Sequence, residues 1–114
     1  GRRAGVVFGS AHHVSKAVAG GGDMRVAHGC RAGAHTGPIG TYSLVPQIVD
    51  AAGDIPVLAA GGVATGRHIA AALAMGAQGV WLGTAWLLSK EHQGDMHRVN
   101  SDKLIQAGSY CKTY

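Results

Sequence analysis

Charged side chains are scarce in this sequence: Asp, Glu, Lys and Arg make up 14% of its 114 residues, well under the roughly 25% of an ordinary soluble domain. A chain so poor in solvated groups is mostly interior, built of buried strands, glycine turns and alanine-rich helices. Aromatic residues amount to 5%, and the ten Lys and Arg are scattered, with only Arg2 and Arg3 adjacent. Such a distribution offers no base-stacking surface, which excludes nucleic acid as a partner. The formal net charge of +4 fits a small anionic ligand at least as well. Cysteine is confined to Cys30 and Cys111, too few for a disulfide framework, so reduced thiols and a cytoplasmic location are expected. No apolar run approaches the ~18 residues of a spanning helix, and no charged-then-apolar leader opens the chain, which argues against membrane and export roles.

Glycine is what the chain has instead. Its 19 glycines are more than double the usual share, and they cluster where apolar runs end. The length suits a single core but falls well short of the roughly 250 residues of a closed (β/α)₈ barrel. Either the fold is an open α/β sheet or the chain is part of something larger. The opening Gly1 and the lack of a terminating element at Tyr114 favour the second.

In chain order, Gly5 to Ser10 reads as a strand whose Ser10 caps a helix with Val14, Ala17 and Val18 on one face. Gly20 to Gly22 end that helix. Asp23 to Ala27 is a weaker strand, because Arg25 interrupts the apolar run. A loop of small residues and histidines follows, from His28 to Gly40. The next helix presents Leu44, Val45, Ile48, Val49 and Ala52 on one side, with Pro46 expected in its first turn. Val57 to Ala60 is a short apolar strand of the kind covered on both faces, and Pro56 stands at its start. Gly61-Gly62 then lead to Thr65, the expected N-cap of a helix carrying Ile69, Ala70, Leu73 and Ala74. One unit later Gly79 to Leu82 ends in Gly83-Thr84 and passes into the helix-like Ala85 to Leu88. The polar stretch from Lys90, with a helical pattern around Leu104, Ile105 and Ala107, reads as a tail (90–114) packed outside the sheet. The order is β-α-β-α-β-α-β-α with no hairpin signal, so parallel strands with right-handed crossovers are expected.

Function is expected at the carboxyl ends of those strands, where parallel α/β folds place their sites. Gly61-Gly62 brings bare backbone N–H groups to the start of a helix, which favours an anion such as phosphate. Gly83-Thr84 repeats the chemistry on the neighbouring unit, and barrels of this kind often hold a phosphate between two such loops. His35, flanked by Gly33 and Gly37, is either a solvated loop histidine or a general base, since a free imidazole titrates near about 6.5. His12, His13, His92 and His97 read as surface residues, and His68 falls in the first turn of the glycine-led helix. No CxxC or HxxxH spacing supports a metal site from His28, Cys30 and His35, and nothing fixes a base beside Cys30. Trp81 and Trp86 read as packing residues, although Trp81 stands near enough to Gly83-Thr84 to touch a ring system.

The loop from His28 to Gly37, then Leu44-Val45-Pro46, then Pro56 to Arg67, then Gly76 to Thr84 together resemble the nitronate monooxygenase family, formerly called 2-nitropropane dioxygenases. The similarity runs over roughly residues 5 to 110. It implies that residues 1–114 are the later half of an FMN-dependent TIM (β/α)₈ barrel whose N-terminal half lies outside this chain. By the same resemblance His35 matches the catalytic histidine, acting on a nitronate or nitroalkane substrate with O₂ as oxidant. Gly33, Gly61, Gly62, Gly83 and Thr84 match contacts to FMN and its phosphate, and His28, Trp81 and Leu82 match flavin-contacting positions. Where the family usually has Gln-Gly-Thr-Glu-Ala-Gly-Gly-His, this sequence puts His28, Cys30, Arg31 and Ala34 in place of Gln, Thr, Glu and the second Gly of the pair. Arg31 reverses a charge beside the catalytic loop, and Ala34 adds a methyl group near the flavin. Flavin-dependent enoyl-ACP reductases share a similar loop and barrel and form the alternative reading. An inactive, truncated half-barrel is the other.

Overall fold

The computed structural model of the chain describes residues 2–17, 21–32, 37–92 and 98–107. Four strands, β1 (Gly5–Phe8), β2 (Met24–His28), β3 (Val57–Ala60) and β4 (Gly79–Trp81), alternate with helices α1 (His12–Ala17), α2 (Thr41–Ala52) and α3 (Gly66–Ala74). A short 3₁₀ helix, Thr84–Leu88, follows β4, and α4 (Arg98–Gln106) comes last. The strands lie side by side in chain order, and every pairing is parallel. The expected alternation of parallel strands and helices is what forms, and the chain comprises four (β/α) units, half the number in a (β/α)₈ barrel.

Register sorts the side chains onto two faces, because successive residues of a strand point to opposite sides. Phe8, Ala27 and Ala59 align across three strands, as do Arg25 and Val57 across two. These face the helices, where Leu44, Val45 and Ile48 of α2, Val14 of α1 and Ala72 of α3 complete a closed apolar core. The other face carries Val7, Val26 and Leu58 in one row and His28, Ala60 and Trp81 in the next. None of these residues belongs to the helix-packed cluster; Val26 and Ala60 are buried, while Val7 and Trp81 stay 57% and 56% exposed. In a closed barrel it would be the interior.

Arg25 does not weaken β2 as its charge suggests; it is 1% exposed, on the helix-covered face. Its stem lies in the core while Nη1 donates to the Gly22 carbonyl at 3.2 Å and the guanidinium stands 5.7 Å from the Phe8 ring centroid. A long side chain can bury its methylenes and hand its charge to a carbonyl and a ring face. Pro46 also differs from expectation, since α2 begins at Thr41 and places the proline beyond the first turn. The carbonyl it leaves without a helical donor belongs to Tyr42, which is exposed and open to water. Trp86, expected to pack, is 61% exposed because its 3₁₀ helix follows the outermost strand, with no further unit beside it among the described residues. Along 102–107 only Leu104 is partly covered, so that part of α4 presents mostly solvent-facing side chains.

Gln78 holds β3 and β4 level with each other. Its backbone N–H donates to the Val57 carbonyl at 2.9 Å, and its Oε1 accepts from the Val57 N–H at 2.7 Å. Both groups of the residue after Pro56 are thereby satisfied. The turns that leave the two strands emerge side by side at the same end of the sheet.

Candidate functional site

Gly61 and Gly62, which follow β3, have φ of +102° and +73°, a region in which an L side chain is strained. A Cβ on Gly61 would stand 2.9 Å from Thr41 Oγ1 and 3.0 Å from the Gly29 carbonyl oxygen. The turn is therefore glycine for two reasons, dihedral and space. Three segments meet there: the turn itself, the start of the β2–α2 loop, and the first residue of α2. The Gly29 N–H donates to the Ala60 carbonyl at 3.0 Å, and the Thr41 hydroxyl donates to the Gly61 carbonyl at 2.7 Å.

The α3 N-terminus departs from expectation in one respect. Thr65 is its N-cap, with Oγ1 accepting from the His68 N–H at 3.5 Å. His68 completes the box, its Nδ1 accepting from the Ala64 and Thr65 N–H groups at 3.1 and 3.3 Å. An imidazole here does what Glu or Gln does in the usual capping box. Two amides that the sequence offers to an anion are thus already engaged, and the amides with no protein acceptor among the described residues are Gly62 and Val63 before them and Gly66 and Arg67 after them. His68→Ala is expected to lower stability by about 1 kcal/mol, read as a shift of the thermal midpoint.

A cleft of about 190 Å³ opens beside this turn, bordered by His28, Arg31, Ala32, Ala60, Gly61, Val63, Trp81, Gly83 and Thr84. His28, Ala60 and Trp81 are the aligned row at the carboxyl ends of β2, β3 and β4. The small Ala60 between two rings leaves the space open. His28 Nδ1 is buried and has no hydrogen-bond partner among the described residues, a state that native proteins rarely leave unmatched. Gly83 borders the same space with φ of −118°, and a Cβ there would meet no atom within 4 Å. Neither dihedral nor packing requires glycine at that position. A second cavity of about 350 Å³ lies behind the glycine turn, between α2 and α3, with Tyr42, Ala72 and Met75 in its walls; Arg31, Gly61 and Val63 border both spaces.

Of the residues singled out from the sequence, His28, Gly61, Trp81, Gly83 and Thr84 border the cleft, Gly62 faces the second cavity, and Leu82 borders neither. Gly33 and His35 lie outside the described residues. The stem of their loop is tied by a bond from the Cys30 N–H to the Ile39 carbonyl at 2.9 Å. Cys30 itself is exposed and free. Ala32, Val63 and Thr41 were not singled out, and Arg31 only as a reversed charge beside the loop. Ala32 and Val63 are loop residues with no local signal, and Thr41 is recognisable only once two distant glycines are brought against it.

The sequence model of the nitronate monooxygenase family matches residues 3–110. This chain belongs to that family. It is similar to a putative monooxygenase of Mycobacterium tuberculosis, 50% identical over 101 residues that make up 89% of this chain and 26% of the relative. Among solved structures, FabK from Thermotoga maritima superposes with a TM-score of 0.86 at 36% identity, over 94% of this chain and 33% of that one. Nitroalkane oxidase from Streptomyces ansochromogenes does so with a TM-score of 0.67 at 38% identity, over 73% of this chain and 27% of its own. The chain thus spans about a quarter to a third of the length of the proteins it matches.

Proposed function

We infer that this chain forms the phosphate-holding and catalytic portion of an FMN-dependent enzyme that oxidises nitronates or nitroalkanes with O₂. The observation that carries this reading is the convergence of the Gly61 and Gly83-Thr84 turns, from adjacent parallel strands, on one cleft. Unengaged backbone N–H groups and the Thr84 hydroxyl supply anion-binding donors there. The unpartnered His28 Nδ1 and the indole of Trp81 suit a polar, planar ring system alongside them. FMN, when bound, supplies an electron acceptor that a nitronate anion can reduce and that O₂ can reoxidise.

The chain's own share is binding, placement and proton handling. Gly61, Gly62, Gly83 and Thr84 hold the phosphorylated end, while His28, Trp81 and Leu82 border the ring. Gly33 brings backbone close, and His35 acts on the substrate. When neutral, its imidazole removes the α-proton of a nitroalkane; when protonated, it orients the nitronate anion. Arg31, at the mouth of the cleft, adds a positive charge on the anion's approach.

The likeness to FabK favours a second reading, the enoyl-ACP reductase class, with NAD(P)H as reductant. Val7 and Trp81, exposed on the inner face, and the edges of β1 and β4, unpaired among the described residues, call for further strands beside this sheet, supplied by an N-terminal half-barrel. A visible spectrum of the purified full-length protein, followed by O₂ consumption with the nitronate of nitroethane, tests these readings. A bound-flavin spectrum with nitronate-dependent O₂ uptake is the expected result. NAD(P)H oxidation driven by an enoyl thioester, without nitronate turnover, selects the reductase; a colourless, aggregating protein selects the inactive fragment.

A further inference from the structure

Resting on the flavin reading above, we propose that Thr41 is a positioning residue that sets the direction of the Gly62 amide, which lies between Gly61 and Val63 of the cleft border, toward the phosphate. Thr41 is the first residue of α2, one past the N-cap position from which a hydroxyl commonly caps a helix. The N-cap is Gly40, without a side-chain bond, and the Thr41 hydroxyl reaches across to the next (β/α) unit. There it donates to the Gly61 carbonyl at 2.7 Å, with the Ala60 carbonyl 3.4 Å away.

The consequence follows from peptide geometry. The Gly61–Gly62 peptide is trans, so its carbonyl and the Gly62 N–H are coplanar and point in opposite directions. Fixing the Gly61 oxygen toward α2 fixes the Gly62 N–H away from it. In a turn of two glycines the peptide plane is otherwise free to rotate at little cost. The clamp is tight because the missing side chains make room for it. A Cβ on Gly61 would crowd Thr41 Oγ1 at 2.9 Å, and a Cβ on Gly29 would collide with that oxygen and with the Thr41 backbone N and Cα at 2.6 Å. Two glycines, far apart in sequence, yield space to one hydroxyl. The loop that carries His35 starts at one of them and ends at Thr41, so the clamp also ties that loop to the phosphate turn.

The test compares FMN with riboflavin, which lacks the phosphate, in titrations of the full-length protein and of Thr41→Val and Thr41→Ser. Thr41→Val keeps the branched shape and removes the donor; Thr41→Ser keeps the donor. The expected result is that Thr41→Val weakens FMN binding about tenfold, leaves riboflavin binding unchanged, and that Thr41→Ser retains the wild-type preference for FMN. Thr41→Ala serves the same comparison if the valine variant does not fold, with the same expected loss. Equal weakening of both flavins, or unchanged binding of both, overturns the positioning role and leaves the flavin reading standing. A wild-type protein that binds neither flavin overturns the flavin reading and this inference with it.

Discussion

Replacing His35 by Asn in the full-length protein is expected to leave the flavin bound and the visible spectrum intact while nitroalkane turnover falls about 10²- to 10⁴-fold, the usual contribution of a positioned acid–base group. Asn preserves size and hydrogen bonding but cannot accept a proton. The two roles proposed for His35 therefore separate by substrate. As a base it matters only for the neutral nitroalkane, whose α-proton must leave, whereas a preformed nitronate needs only orientation. Initial rates of O₂ uptake with both forms of one compound read the difference directly. A large loss on the nitroalkane with a small one on the nitronate marks a base; similar losses on both mark an anion-orienting group. Unchanged rates on both remove His35 from the reaction.

The second large effect contrasts two glycines that line the same cleft. Gly61→Ala forces a side chain into φ of +102° and within 3.0 Å of two oxygens of the neighbouring segments. A residue held in such a conformation costs on the order of 1–3 kcal/mol, and relief requires the α2 start or the β2–α2 loop to move. Both the melting temperature and FMN affinity should fall. Gly83→Ala meets neither obstacle, since its φ is −118° and no atom lies within 4 Å of the added methyl. Its stability should stay within about 0.5 kcal/mol of wild type, while the methyl enters the space assigned to the phosphate and weakens FMN binding. Calorimetry paired with flavin titration distinguishes the two. If Gly83→Ala binds FMN as tightly as wild type, the phosphate is not held at that turn.

Much of this architecture could be read from apolar runs and their glycine endings. Val57 to Ala60 forms β3, Thr65 caps α3, and Ser10 Oγ accepts from the His12 N–H at 3.3 Å at the start of α1, because each is a local pattern. What escaped the sequence is long-range. Arg25 looks like an interruption until Phe8 and Gly22 are brought around it. His68 looks like a surface histidine, yet its position three residues after Thr65 is the spacing of a capping box, and a wider view of which side chains accept hydrogen bonds would have found it. Thr41 carries no local signal at all, since its partner Gly61 is supplied by a different unit. Among the site residues placed by resemblance, His28, Gly61, Trp81, Gly83 and Thr84 fall around the cleft, whereas Gly62 faces the second cavity and Leu82 borders neither.

The spatial order of the strands equals their order of synthesis, so no strand waits for one made later to fill a gap between neighbours. At roughly 5–20 residues per second, the stretch from Met24 to Val57 takes about two to seven seconds to emerge from a ribosome. Strand docking and helix formation need milliseconds to about a second. Each unit therefore has time to settle on its predecessor before the next appears, and the outer edge of the growing sheet is always the most recently made. Assembly of this chain can proceed vectorially, with β4 the last surface left to recruit whatever comes to rest beside it.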